Sequence, residues 1–243
     1  MKNHDNQEIE REQGKKDFPP THWSLILNDR KRESCLAELS EKYWTPVYLF
    51  LLKSGYEREA AKDLTQNLFL EMMDTKLLEK ADPQRGKFRT YLISIVKNLA
   101  RESHRKRSTR KNRPIKPLLS LDFDSGEKGI KDFLEPGYSP EDAFNKEWAR
   151  IIVNRALEEL RVYCHEKGKE EKILALEAFE QAFFENKKPQ EIAESINREV
   201  KWVSEKIYRL KEKYGAFLKS IVRETLDEGE SPEMEINQLM GYL

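Results

Sequence analysis

Apolar residues along most of this chain recur at intervals of three and four, which is the spacing of amphipathic helices. Up to about residue 107 the pattern predicts four helices, near 22–29, 33–54, 57–73 and 86–107. In the second half it predicts four more, near 140–166, 169–184, 188–195 and 199–226. No stretch alternates polar and apolar residues as a half-buried strand does, so the sequence predicts an all-α fold.

The helical pattern fails between these two groups. Prolines and glycines interrupt any helix longer than two turns there, at Pro114, Pro117, Gly126, Gly129 and Pro136. We therefore expect two helical domains, at 18–109 and 140–226, joined by a flexible linker at 110–139 with a short ordered piece around 118–123. Residues 1–17 are charged and offer almost nothing to bury, which predicts disorder, and residues 227–243 form a C-terminal tail.

Charge is segregated along the chain. Among 243 residues, 38% are hydrophobic and 36% are charged, and 44 Lys and Arg balance 44 Asp and Glu. Between Lys97 and Lys116, however, basic residues crowd together with Glu102 as the one acid. The local field of that run, and not the net charge, would guide an anionic partner.

Several classes of protein are disfavoured by composition. Cys35 and Cys164 form no CxxC pattern, and no histidine stands at a metal-ligand spacing from a cysteine or an acid. No apolar run is long enough to cross a membrane, and the N-terminus resembles neither a signal peptide nor an anchor. The expectation is a cytoplasmic protein with no cofactor, no metal and no membrane partner.

The segment EAAKDLTQNLFLEMM at 59–73 predicts a helix with two distinct faces. One face is apolar and should join the core, with Ala61, Leu64, Leu68 and Met72. The opposite face follows the spacing i, i+3, i+4 and i+7, with Asp63, Gln66, Asn67 and Leu70. An ordinary solvated helix can show the same pattern, so the pattern alone leaves a partner contact open.

The helix near 86–107 begins as a core helix and ends in basic residues. Its apolar face carries Leu92, Val96 and Leu99. Its polar face carries Asn98, Arg101 and Arg105, with the aromatic residues Phe88 and Tyr91 upstream. Guanidinium groups neutralise phosphates and aromatic rings stack on unpaired bases, which favours nucleic acid. A solvated basic tail with core aromatics remains an alternative explanation.

The segment PQEIAESINREVKWVSEKIYRLKEKY at 189–214 predicts a short helix, a tight turn and a longer helix. The longer helix has a buried stripe of Val203, Ile207, Leu210 and Tyr214. Beside it runs a basic stripe of Trp202, Lys206, Arg209 and Lys213. This is the plan of a helix-turn-helix, whose second helix fits the major groove of DNA. A plain helical hairpin would show a similar pattern.

Taken together, three stretches resemble a known family, the extracytoplasmic-function (ECF) RNA polymerase sigma factors of the sigma-70 family. The stretches are YWTPVYLFLLKSGYEREAAKDLTQNLFLEMM, DPQRGKFRTYLISIVKNLARESHRKR and PQEIAESINREVKWVSEKIYRLKEKY. Three further segments resemble the subgroup abundant in Planctomycetes, namely FPPTHWSLIL, LEPGYSPEDAFNKEWARIIVNRALEEL and SPEMEINQLMGYL. The resemblance implies a sigma region 2 helical bundle followed by a sigma region 4 helix-turn-helix.

The resemblance also implies partners and roles. An alternative sigma factor is not an enzyme and has no catalytic residues; it binds RNA polymerase core and directs transcription initiation at promoter DNA. Its docking face on the β′ clamp helices would be Asp63, Gln66, Asn67, Phe69 and Leu70, and the β flap would be a second contact. An anti-sigma factor or another regulator is a further candidate partner.

DNA-reading residues follow from the same resemblance. The loop at 74–87 and the helix after it would read and melt the −10 element, with Phe88, Tyr91, Lys97, Asn98, Arg101 and Arg105 as candidates. The −35 element would be read by Lys201, Trp202, Ser204, Lys206 and Arg209.

Three other functions stay open at this point. A stand-alone helix-turn-helix regulator would bind DNA without polymerase and would need no docking face. A helical nuclease would need clustered acids or a positioned nucleophile, which the sequence does not offer. A protein-binding adaptor would use the final segment, MEINQLMGYL, as an amphipathic docking helix.

Overall fold

The structure is a computed structural model that describes residues 32–73, 82, 86–107, 137–166, 170–226 and 229–243. Within these ranges the chain forms eight helices and no strand, which confirms the all-α prediction. The helices are α1 (Arg32–Lys53), α2 (Arg58–Met73), α3 (Phe88–Arg107), α4 (Pro140–Glu166), α5 (Glu170–Phe184), α6 (Pro189–Ser195), α7 (Val200–Arg223) and α8 (Pro232–Met240). The predicted helix near 22–29, the predicted disordered start and the predicted ordered piece around 118–123 lie outside the described residues.

Local signals in the sequence account for where helices begin. The Ser139 hydroxyl accepts a hydrogen bond from the Asp142 amide at 3.1 Å, and the Asp142 carboxylate accepts one from the Ser139 amide at 3.0 Å. This reciprocal cap, with proline at the first helical position, starts α4. Ser231 caps α8 in a similar way, because its hydroxyl accepts a hydrogen bond from the Met234 amide at 3.3 Å.

Helices α1, α2 and α3, which we call the first unit, pack around a shared apolar interior. Leu68 and Met72 of α2 and Leu92 of α3 are fully buried, as their spacing predicts. The Tyr56 hydroxyl, just after the turn that ends α1, donates to the carbonyl of Ala100 at 2.6 Å. This buried bond fixes the middle of α3 against the turn between α1 and α2.

Helices α4 to α7, which we call the second unit, contain a small separate core. Ala178 of α5, Ile192 and Ala193 of α6 and Val203 of α7 are buried together there. Helix α7 also packs along α4, where the Tyr214 hydroxyl donates to the Val153 carbonyl at 3.2 Å. The short helix α6 is thus held between α5 and α7.

The two units share their main core, which the sequence did not indicate. Helix α1 packs along α4, and the buried rings of Tyr43 and Trp148 stack with centroids 4.4 Å apart. Residues 110–136 of the predicted linker lie outside the described ranges, but the helices on either side of it are in direct contact. The prediction of two domains joined by a flexible linker gave no indication of this interface.

The predicted tail contains a packed helix. Helix α8 lies against α7 and α4, and its Leu239 is 1% exposed within the main core. The C-terminal residues thus belong to the folded body of the protein.

Candidate polymerase and nucleic-acid interfaces

The polar face of α2 lies at the surface of the first unit. Asp63 is exposed, and Gln66, Asn67 and Leu70 are half-buried beside it. Phe69 differs, because it is buried and stacks on Trp44 with ring centroids 5.9 Å apart. Four of the five residues predicted to dock on polymerase thus share an accessible face, and Phe69 supports that face from inside.

The polar face of α3 is also accessible along its second half. Asn98, Arg101 and Arg105 are exposed, as the helical spacing predicts. Tyr91 is half-buried two turns before Asn98, and burial raises the pKa of its phenol. This face combines an aromatic ring, an amide and two guanidinium groups, which is chemistry suited to bases and phosphates.

Phe88, the first residue of α3, is covered by the rest of the molecule. Phe88 is 1% exposed and packs edge-on against Tyr43, with ring centroids 5.4 Å apart. In this arrangement its ring does not reach the surface, unlike the sequence expectation of an aromatic contact with DNA. That contact stays a prediction, and it requires the surroundings of Phe88 to rearrange.

Lys97 is engaged by the second unit. Its ammonium lies 2.5 Å from the Glu141 carboxylate at the start of α4. The hydrogen bond from Lys97 is the main cause that lowers the pKa of Glu141. A cation predicted to contact promoter DNA is therefore already paired with an acid of the other unit.

The connection from α6 to α7 is a tight turn. The amide of Ile196 donates to the Ile192 carbonyl at 3.0 Å, and the amide of Arg198 donates to the Ala193 carbonyl at 3.0 Å. Between them Asn197 adopts a φ of 51°, a left-handed conformation that asparagine tolerates better than most residues. The chain thereby turns from the seven-residue α6 into α7 as the sequence predicts.

The residues predicted to read the −35 element divide into two sets on α7. Lys201 and Ser204 are exposed. Trp202 and Lys206 are half-buried and turn toward α5, where one carboxylate oxygen of Glu171 lies 3.4 Å from the indole nitrogen and 2.8 Å from the ammonium. Only the first set faces fully outward.

Arg209 sits at the edge between the two sets. Its guanidinium lies 2.6 Å from Glu205 one turn earlier on the same helix. Together with Lys206 and Lys213 it lines an open groove of about 560 Å³ between α4, α5 and α7. The basic stripe predicted from the sequence thus lines one side of this groove in the second unit.

Two exposed residues of α7 were missed by the sequence analysis. Tyr208 is 63% exposed, and Lys211 is exposed one turn further. With Lys201 and Ser204 they follow the spacing i, i+3, i+7 and i+10, so they share the outward face. That spacing was visible in the sequence and identifies a surface that the basic stripe alone did not.

In the part of the chain that the structure describes, no group of three or more His, Cys, Asp or Glu could hold a metal ion. None of the described helices is long and apolar enough to cross a membrane. Cys164 is buried, and burial raises the pKa of its thiol, which disfavours a reactive thiolate.

The first unit thus presents two accessible polar faces, one on α2 and one on α3. Residues 39–110 match the family model of sigma-70 region 2, a range that includes most of α1 and all of α2 and α3. No curated protein matches the chain. The match supports a sigma-70 family sigma factor, with a role in RNA polymerase binding and promoter recognition, and this family is one of transcription initiation factors and not of enzymes.

Proposed function

We propose that this chain is an alternative sigma factor of the ECF type, of the subgroup abundant in Planctomycetes, that acts in the cytoplasm. It binds RNA polymerase core, recognises the −35 element and melts the −10 element of its promoters. The observation that carries this proposal is the match of residues 39–110 to sigma-70 region 2. The short helix, tight turn and long helix of the second unit support a sigma region 4 beside it.

The accessible face of α2 is the proposed docking surface on the β′ clamp helices. Asp63 supplies a carboxylate, Gln66 and Asn67 supply amides, and Leu70 supplies a small apolar contact. A polar face with one apolar anchor suits a contact that must form and dissociate, because interfaces of that kind depend on a few central residues. The second unit would engage the β flap, and an anti-sigma factor or another regulator would compete for these surfaces.

The outward face of α3 is the proposed −10 surface. Removing a base from the duplex costs a few kcal/mol, and stacking on an aromatic ring returns about 1–3 kcal/mol for each base. Tyr91 would provide that ring and Asn98 would hydrogen-bond an exposed base edge. Arg101 and Arg105 would bind phosphates, which gives affinity without sequence selectivity.

The outward face of α7 is the proposed −35 surface. Lys201 and Ser204 would approach the major groove first, and Trp202, Lys206 and Arg209 would follow along its edge. Glu205 pairs with Arg209, which keeps its carboxylate from facing phosphate unpaired. Tyr208 and Lys211 extend the same face and join the proposed set.

The test is binding to purified bacterial RNA polymerase core, followed by promoter opening. Asp63→Arg should weaken core binding at least tenfold, because it reverses the one full charge of the docking face. Glu159→Arg makes the same charge change at an exposed position of α4 and should leave binding unchanged. Asn98→Ala should bind core normally and fail to open promoter DNA.

The stand-alone regulator makes the opposite prediction. It would shift duplex DNA in the absence of polymerase and would ignore core, with or without Asp63→Arg. Equal core binding by Asp63→Arg and Glu159→Arg would remove α2 as the docking surface.

A further inference from the structure

The C-terminal helix α8 carries an acid that is buried at the boundary between the two units. The side chain of Glu235 is 2% exposed and accepts a hydrogen bond from the Lys87 ammonium. Its second oxygen lies 3.0 Å from the guanidinium of Arg89, whose side chain is 8% exposed. One carboxylate of the tail thus binds two cations at the start of α3, the helix with the proposed −10 surface.

The chain at and around α8 is also fixed to the second unit. The ammonium of Lys219 on α7 lies 3.0 Å from Glu233, and the guanidinium of Arg223 donates to the Glu230 carbonyl at 2.8 Å. On α4, the Asn145 amide donates to the Tyr242 hydroxyl at 3.3 Å. The Glu230 carboxylate, just before α8, also lies 3.7 Å from the Lys87 ammonium. The acids of this C-terminal segment, with Glu235 the buried one, therefore tie the second unit to the first.

This closed arrangement is incompatible with simultaneous reading of both promoter elements. Elements centred near positions −10 and −35 lie about 25 base pairs apart, which is about 85 Å along B-DNA at 3.4 Å per base pair. A compact chain of this length has a radius of gyration of about 18 Å and hence a diameter of about 45 Å. With α1 packed on α4, the outward faces of α3 and α7 cannot span that distance.

We infer that α8 is a latch that keeps the free protein closed and inactive until polymerase separates the units. This inference rests on the proposed function. The face of α2 stays accessible in the closed form, so polymerase can make its first contact there. Full binding then requires the bond between Glu235 and the Lys87 and Arg89 cations to break. Apparent affinity for core is reduced by the small fraction of molecules that are open.

The test compares three full-length variants. Glu235→Gln removes the latching charge and leaves two cations facing a neutral amide. Leu239→Ala loosens the apolar anchor of α8 without changing any charge. Glu233→Gln is the matched control, because it neutralises an exposed acid of the same helix whose partner, Lys219, lies within the second unit.

Three measurements are needed on each variant. Small-angle scattering of the free protein should show a larger radius of gyration for Glu235→Gln and Leu239→Ala than for the wild type and Glu233→Gln. Circular dichroism should show unchanged helix content, which separates opening from unfolding. Affinity for polymerase core should then rise roughly ten- to hundredfold in the two opened variants, the usual range for a conformational coupling.

The outcomes distinguish this inference from the proposed function. Opened variants that bind core no better than the wild type would overturn the latch as an inhibitory device. If Glu235→Gln and Leu239→Ala keep the radius of gyration of the wild type, α8 does not hold the two units together and the inference is overturned. Absence of core binding in every protein, the control included, would instead contradict the proposed sigma factor, and the scattering would still decide whether α8 holds the units together.

Discussion

The two proposed DNA-reading helices hold their cations in different ways. Lys87, just before α3, and Arg89 and Lys97 on α3 pair with acids outside the first unit, on α4 and on α8, which packs against the second unit. On α7, Lys206 and Arg209 pair with Glu171 and Glu205, which belong to the same unit. Separating the units would therefore release the first set of cations and leave the second set as it is.

The ion pairs at the start of α3 are also more deeply buried than those on α7. The Arg89 side chain is 8% exposed, whereas the Arg209 side chain is 68% exposed. An exposed pair is screened by water and salt and contributes little, but a buried charge that loses its partner is strongly destabilising. Ion pairs between basic and acidic side chains thus stabilise the contact between the units at α3, whereas at α7 they lie on the surface and contribute little to stability.

The largest effect is expected where the aromatic core joins the units. Trp148→Ala should reduce the free energy of unfolding by about 3–5 kcal/mol, because it removes a large buried ring that stacks on Tyr43. With the stack gone, the units should unfold in two resolved transitions on chemical denaturation, measured by circular dichroism and by tryptophan fluorescence.

Trp44→Ala is the matched control for this change. Trp44 is also buried, but it stacks on Phe69 within the first unit. Trp44→Ala should reduce the free energy of unfolding by a comparable amount. The two units should still unfold together in one transition, because the stack of Trp148 on Tyr43 remains. Two resolved transitions in Trp44→Ala, or one unchanged transition in Trp148→Ala, would show that the aromatic stack does not couple the units.

A second prediction compares the two kinds of ion pair directly. Arg89→Ala should reduce the free energy of unfolding by about 3 kcal/mol, because it leaves Glu235 buried with Lys87 alone. Arg209→Ala should reduce it by less than about 0.5 kcal/mol, the usual value of an exposed pair one turn apart on a helix. Urea denaturation of both variants measures the difference, and similar losses would contradict the contrast drawn between α3 and α7.

The sequence predicted local structure better than it predicted contacts between the units. Helix starts such as Ser139 and the turn at Asn197 depend on neighbouring residues, and these predictions are confirmed. The pairing of Glu235 with Arg89 joins residues far apart in the chain, and no periodicity encodes it. The burial of Phe88 was missed for the same reason, since its cover comes from α1.

A smaller effect than that of Arg89→Ala concerns the pair between Lys97 and Glu141, which is partly exposed. The hydrogen bond from Lys97 lowers the pKa of the Glu141 carboxyl below its ordinary value of 4.5. An acid whose pKa is lower in the folded state contributes stability above its unfolded pKa and loses it as the pH falls through the folded value. The wild type should therefore lose more stability than Lys97→Met between about pH 5 and pH 3, by less than about 1 kcal/mol because solvent screens the pair.

Lys62→Met is the control for this pH dependence. Lys62 lies 3.7 Å from Glu59 on α2, where both side chains are well exposed, and its loss should leave the acid profile of the wild type unchanged. Thermal unfolding across the pH range measures all three proteins. High salt should shrink the difference at Lys97, because exposed charges are screened within a few ångströms at 1 M ionic strength. If Lys97→Met and Lys62→Met gave the same profile, the contact between α3 and α4 would be an ordinary surface pair. The charge-based closure of the two units would then depend on the pairs that Lys87 and Arg89 form with the C-terminal segment.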